Sequence, residues 1–166
     1  ESGADSAAVC TANGGFVENM DMLAQGSGLN LLDKDWPIYA RAESEPPAYL
    51  GETAEVDHSV VTRGSEVEGA VRNSVLSQRC TVAEGAEVEY SILMPGAVVE
   101  RGARVAYAIL GENVRVGENA RVGASPEAAP PEEWGITVVG PEAQVEAGRT
   151  LKANRMLNRE GKETVR

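Results

Sequence analysis

The chain has 166 residues and 42% hydrophobic content, enough to bury a core, but one phenylalanine, two tryptophans and four tyrosines leave aliphatic side chains to fill it. A net charge of −11 argues against nucleic acid and anionic membrane surfaces as partners. No stretch approaches the roughly 18 apolar residues of a membrane span, and Glu1-Ser2-Gly3-Ala4-Asp5-Ser6 has no basic and apolar signal region, so a cytoplasmic protein is expected.

Residues 1–15 are rich in alanine, serine and glycine and read as a disordered leader. Asn13-Gly14-Gly15 is a lone diglycine with no preceding strand and no following arginine, so it is not read as a nucleotide loop. Residues 16–50 read as a linker. Phe16, Met20 and Leu23 fall on one face of a short amphipathic helix, with Gly26 and Gly28 beyond it as a stop. Leu29 to Tyr39 reads as extended, and Glu45-Pro46-Pro47-Ala48-Tyr49 as a polyproline-like entry to the first coil of a repeat. Cys10 and Cys80 make neither a disulfide framework nor a metal cluster.

From Val56 to Val122 an aliphatic residue recurs at gaps of 5, 6, 4 and then 5, 6, 6 three times, with a small residue two positions before nearly every one. Val71, Val88, Val105 and Val122 stand 17 apart, as do Leu76, Leu93 and Leu110, and Val82, Val99 and Val116. A unit this short cannot bury its own apolar face and must stack on its neighbours. Period six places successive valines on different helical faces, and the β-branched content favours strand. The predicted fold is therefore all-β: a left-handed parallel β-helix of triangular section over residues 51–151, about five coils and, at roughly 4.8 Å per coil, on the order of 25 Å tall. Cys80 occupies a small-residue slot and is read as packing.

Glycine and asparagine should take left-handed backbone at the bends, in the columns Gly85, Gly102, Asn119 and Arg79, Gly96, Asn113, with Arg79 the strained exception. The gap of four between Val67 and Val71 shortens the first coil by two residues and predicts a tight corner. Residues 124–135 carry three prolines and read as a loop. Because Val139 lies 17 beyond Val122, the loop is expected to replace two sides of one coil without shifting the register. Residues 152–166 read as a polar tail or frayed helix.

Several phrases resemble a known family. Glu18 to Leu23, Leu29-Asn30-Leu31, Asp35-Trp36-Pro37-Ile38-Tyr39, Pro46-Pro47-Ala48, Asn73 to Leu76 and Ser91 to Gly96 are similar, in this order, to the C-terminal part of bacterial glucose-1-phosphate adenylyltransferase, or ADP-glucose pyrophosphorylase. The Asp-Trp-Pro-Ile phrase with the Pro-Pro-Ala entry is the specific part. The resemblance implies a β-helix that supports homo- or hetero-oligomer assembly and helps to form an allosteric site. It also implies a nucleotidyltransferase domain or subunit as partner, using Mg and ATP to make ADP-glucose for glycogen synthesis. Nothing here matches that domain's phosphate loop, magnesium aspartate or sugar-phosphate lysine, so no catalytic, cofactor or metal residue is expected in this chain, which reads as part of a longer product. Trp36, Ile38 and Tyr39 are candidates for the domain or subunit contact, or for a cap on the first coil.

Phosphorylated effectors need clustered cations. The family's basic turn aligns with Gly111-Glu112-Asn113, where Glu112 has the opposite charge. Arg101, Arg104, Arg115, Arg149, Lys152 and Arg155 are the remaining candidates, each also readable as solvated surface. Two other classes stay open. A hexapeptide acyltransferase would need a histidine as general base, and the one histidine, His58 beside Asp57, lies in the first coil. A purely structural assembly module would use the prism's faces and terminal coils.

Overall fold

An inward aliphatic side chain at every fifth or sixth residue can be buried only if the chain turns a corner between one such residue and the next. The computed structural model shows this, and it describes residues 16, 20, 45–128 and 134–165. Short strands wind into a left-handed β-helix with three parallel sheets, here called faces A, B and C, visited in that order in every coil. Face A runs from Tyr49–Leu50 through Val98–Val99 to Gln144–Val145. Face B runs from Glu55–Asp57 to Thr150–Leu151, and face C from Val60–Val61 to Arg155–Leu157.

The inner columns are Val67, Val82, Val99, Val116 and Val145 on face A, and Val71 to Leu151 on face B; none is more than 2% exposed. Face C supplies the larger Leu76, Leu93, Leu110 and Leu157, all fully buried. Aligned aliphatics from three faces form one continuous core.

Sheet register departs from the expected count in three places. Six coils are present rather than about five, because Tyr49–Leu50 already pairs with Glu66–Val67 on face A. The loop replaces no side of a coil. Val139 pairs with Leu110 on face C, not with the Val122 column, and Val122 pairs with Leu151. Residues 124–135 are a 12-residue insertion at the corner between faces B and C, and 12 added to the usual step of five happens to equal one 17-residue coil. The chain end is not a free tail: Arg155–Leu157 completes face C, and Glu163–Val165 turns back antiparallel on it, with Asn158 holding the turn through its side-chain oxygen.

The expected left-handed residues are all present, including Arg79 at φ 57°. A third column, His58, Asn73, Tyr90 and Tyr107, also has positive φ, at the corner between faces B and C. Bulky residues there carry strain of order 1–2 kcal/mol each. Serines behind this column offset part of it. Ser59, Ser74 and Ser91 each donate to the carbonyl two residues back, and each oxygen accepts the N–H of the residue one coil on: Ser74, Ser91 and Ala108 respectively. Ser91→Ala would leave the buried Ala108 N–H without its acceptor and should cost about 1–2 kcal/mol, read as a lower urea midpoint at unchanged slope.

Candidate functional site

The outward positions of the three faces differ in kind. The outward row of face A is mixed, Tyr49, Glu66, Thr81, Val98, Arg115 and Gln144, and that of face B is mainly polar, Glu55, Ala70, Glu87, Arg104, Arg121 and Thr150. Face C presents Val60, Val75, Ile92, Ile109, Val138 and Met156 in one registered apolar row. Hydrophobic outer residues on a water-facing sheet mark a surface meant to be covered. Part of the cover is visible: Phe16 and Met20, helical and one turn apart, pack with Ile136 over Val75, Tyr90, Ile92 and Ile109. The expected pairing of Phe16 with Met20 is thus present, while Leu23 and the contact candidates Trp36, Ile38 and Tyr39 lie outside the described residues. Cys10 does also.

The insertion frames this seat. Gly123, at φ 75°, leads the chain out of the coil, and a Cβ there would stand 2.0 Å from the Ala106 carbonyl oxygen. The chain returns at Trp134, whose indole N–H donates to the Ala124 carbonyl and whose ring meets Tyr107 edge-on. Tyr107 in turn stacks on Tyr90 at 4.8 Å. The apolar row on face C was legible as doublets, Val75-Leu76, Ile92-Leu93 and Ile109-Leu110, in which the residue before the inward one is also aliphatic.

The candidate cations do not form one cluster. Arg101 at a corner faces Glu84 at 3.2 Å, Arg104 on face B faces Glu87 at 3.2 Å, and Arg115 on face A is bound to Glu100. Only Arg149 and Arg155 meet, on the Glu163 carboxylate at 3.3 and 3.7 Å. Lys152 follows the last face B strand and enters no ion pair among the described residues. Such exposed pairs contribute roughly 0–1 kcal/mol each. The Glu142 N–H donates to the carbonyl of Glu112 on the neighbouring coil, so two acidic residues stand together at this turn.

His58 lies at a corner of the first coil with Nδ1 at 2.9 Å from Asp57 Oδ1, both side chains open to water. Among the described residues no group of three or more potential ligands could hold a metal ion, and no helix is long and apolar enough to cross a membrane. Cys80 is fully buried; burial pushes its thiol up to about 11, against backbone N–H groups led by that of Ala97. The folded value lies above the ordinary 9.0, so the neutral thiol favours folding below pH 9, and that contribution fades as pH rises towards 11. Alkylation of native protein by iodoacetamide at pH 8 should leave Cys80 unmodified, and mass mapping checks this.

These features define the class first: a hexapeptide-repeat left-handed β-helix. The chain belongs to the GlmU-like C-terminal hexapeptide family, whose model matches residues 47–146. It is 43% identical over 96 residues to glucose-1-phosphate adenylyltransferases of Bacillus thuringiensis (strain Al Hakam) and Bacillus anthracis, and 42% identical to that of Bacillus mycoides (strain KBAB4). Each match covers 58% of this chain but 26% of the relative, so the chain spans about a quarter of those proteins. Among solved structures, a perosamine N-acetyltransferase of Caulobacter crescentus in complex with CoA and GDP-perosamine matches 73% of this chain and 54% of its own, at TM-score 0.42 and 17% identity.

Proposed function

We propose that this chain is the β-helix part of a glucose-1-phosphate adenylyltransferase-like protein, acting in the cytoplasm as an assembly domain. The reaction is the joining of ATP and glucose 1-phosphate to ADP-glucose and pyrophosphate for glycogen synthesis, with Mg and ATP handled by a nucleotidyltransferase domain. The observation that carries the reading is the 43% identity over 96 residues, more than a shared pattern of inward aliphatic residues alone would give. Face C supports an assembly role, because its outward apolar row already seats Phe16 and Met20. The homo- or hetero-oligomer of such a protein would be held through these faces.

A regulatory role rests on Arg149 and Arg155. A phosphorylated metabolite held by these two arginines would have to displace the Glu163 carboxylate they share. The acyltransferase reading has less support, since His58 is an open corner residue braced by Asp57.

The test is ADP-glucose formation from ATP and glucose 1-phosphate, by the chain alone and mixed with a separately expressed nucleotidyltransferase domain. No turnover alone and altered turnover in the mixture are expected. Turnover by the chain alone would overturn the assignment of catalysis to another domain, and unchanged turnover in the mixture would remove the assembly role.

A further inference from the structure

Face B changes sign halfway along the prism. Each of its inward residues is flanked by two outward ones, so a second outward row, Asp57, Arg72, Glu89 and Ala106 with Gly123 and Lys152 beyond, runs beside the first. Over the first three coils the two rows carry Glu55, Asp57, Glu87 and Glu89 against Arg72. Over the last three they carry Arg104, Arg121 and Lys152 and no acid. A wholly basic half-face runs against the chain's net charge of −11. Pairs within the face use only part of this charge: Arg72 meets Glu55 at 2.6 Å and Arg104 meets Glu87 at 3.2 Å, while Glu89, Arg121 and Lys152 enter no ion pair among the described residues.

The described chain leaves face B open. Phe16 and Met20 lie over face C, and Glu45 and Pro46 meet Arg79 and Gly64 at the corner between faces C and A, so the chain on either side of residues 21–44 is held away from face B. A surface with one sign at each half is complementary to itself when turned end for end. A two-fold axis in the plane of the face, perpendicular to the prism and passing between the third and fourth coils, would bring Arg104 to Glu87 of the second copy and Lys152 to its Asp57. The other long side chains would meet small ones: Arg121 opposite Ala70, Arg72 opposite Gly123 and Glu89 opposite Ala106. Parallel packing of the same faces would set carboxylate against carboxylate.

We propose that two copies of this chain pack face B to face B with the prisms antiparallel, each laying its basic half on the acidic half of the other. One prism face is smaller than the roughly 800 Å² that each partner gives to a standard interface, so the dimer is weak, with a Kd on the order of 100 µM, and sensitive to salt. The contact adds to the assembly role but rests on the charges of face B, neither on face C nor on the relatives. Sedimentation can therefore refute it while the ADP-glucose assay stands, and the reverse.

Sedimentation of the whole chain at several hundred micromolar should show a dimer at low salt that weakens about tenfold or more in ~0.5 M salt. Two variants change only the outward rows. One carries Arg104→Glu, Arg121→Glu and Lys152→Glu, which makes face B acidic throughout; the other carries Glu55→Lys, Glu87→Lys and Glu89→Lys, which makes it basic throughout. Each alone should be monomeric, and the two mixed should form a heterodimer. The basic variant has the smaller overall net charge, so general repulsion would predict more self-association for it, not less. Circular dichroism checks that both variants fold, and heterodimer formation is itself a readout that unfolded chains would not give. A wild-type monomer at low salt, a dimer that persists in either variant alone, or two monomeric variants that stay apart when mixed would each overturn the proposal.

Discussion

Truncating Leu93 to alanine should destabilise the β-helix by about 3 kcal/mol, with a melting temperature roughly 6–12 °C lower. Leu93 is fully buried between Leu76 and Leu110 in the face C column, at mid-height of the prism. Its loss removes the transfer energy of three carbons and leaves a void. The void cannot collapse readily, because ladder hydrogen bonds on both sides fix the coil spacing, as in Ser77 N–H to Leu93 O and Met94 N–H to Leu110 O. In a solenoid the damage falls on the adjacent coils, so the urea midpoint should drop without loss of slope if the six coils unfold as one unit. The outward neighbour gives the contrast. Ile92→Ala should cost about 1 kcal/mol, because the Phe16 and Met20 helix covers it only in part. A cost below 1 kcal/mol at Leu93 would mean that the core tolerates voids and that the aliphatic columns are not what holds the coils together.

Gly69→Ala should be nearly as severe, about 3 kcal/mol, for a different reason. In full-length coils the slot two residues before the inward face B valine is alanine: Ala86, Ala103 and Ala120, all buried. In the second coil the corner lacks two residues, which pulls this slot against the next coil. A Cβ on Gly69 would lie 2.4 Å from the Ala86 carbonyl oxygen and 2.7 Å from that of Ala83, both backbone atoms that cannot swing aside. The missing residues also open a cleft of about 310 Å³ at the prism edge, lined by Thr53, Glu68, Arg72 and Glu87 among others. Inserting a Glu-Gly pair between Glu68 and Gly69 would restore the six-residue gap and turn position 69 into an ordinary alanine slot. In that background Gly69→Ala should be neutral to within about 0.5 kcal/mol. If alanine remains costly after the insertion, the short corner is not the source of the glycine requirement.

Inward and outward alternation, the left-handed columns at Gly85 and Arg79, the short corner at Gly69 and the slot for Cys80 could all be read along the chain. Each depends on a residue's own backbone preference or on spacing within one coil. The third left-handed column was hidden because Tyr90 and Tyr107 do not prefer that conformation. They adopt it because the ladder on either side and the serines behind them, Ser74 and Ser91, fix the corner.

The amino-acid order by itself determined that the chain coils, where its aliphatic columns run and which relatives it resembles, since six-residue spacing and local conformational preference act within a single coil. Only the tertiary structure decided which columns are neighbours. Val139 falls under Leu110 rather than Val122 because pairing follows the corner at which the 12-residue insertion leaves the prism, and spacing alone cannot distinguish an insertion from a missing side. The same holds for the C-terminal residues, whose polar sequence becomes a capping strand because the last edge of face C is there to pair with it. It holds also for Arg149 and Arg155, brought onto Glu163 by that cap while the other arginines are spread over separate faces.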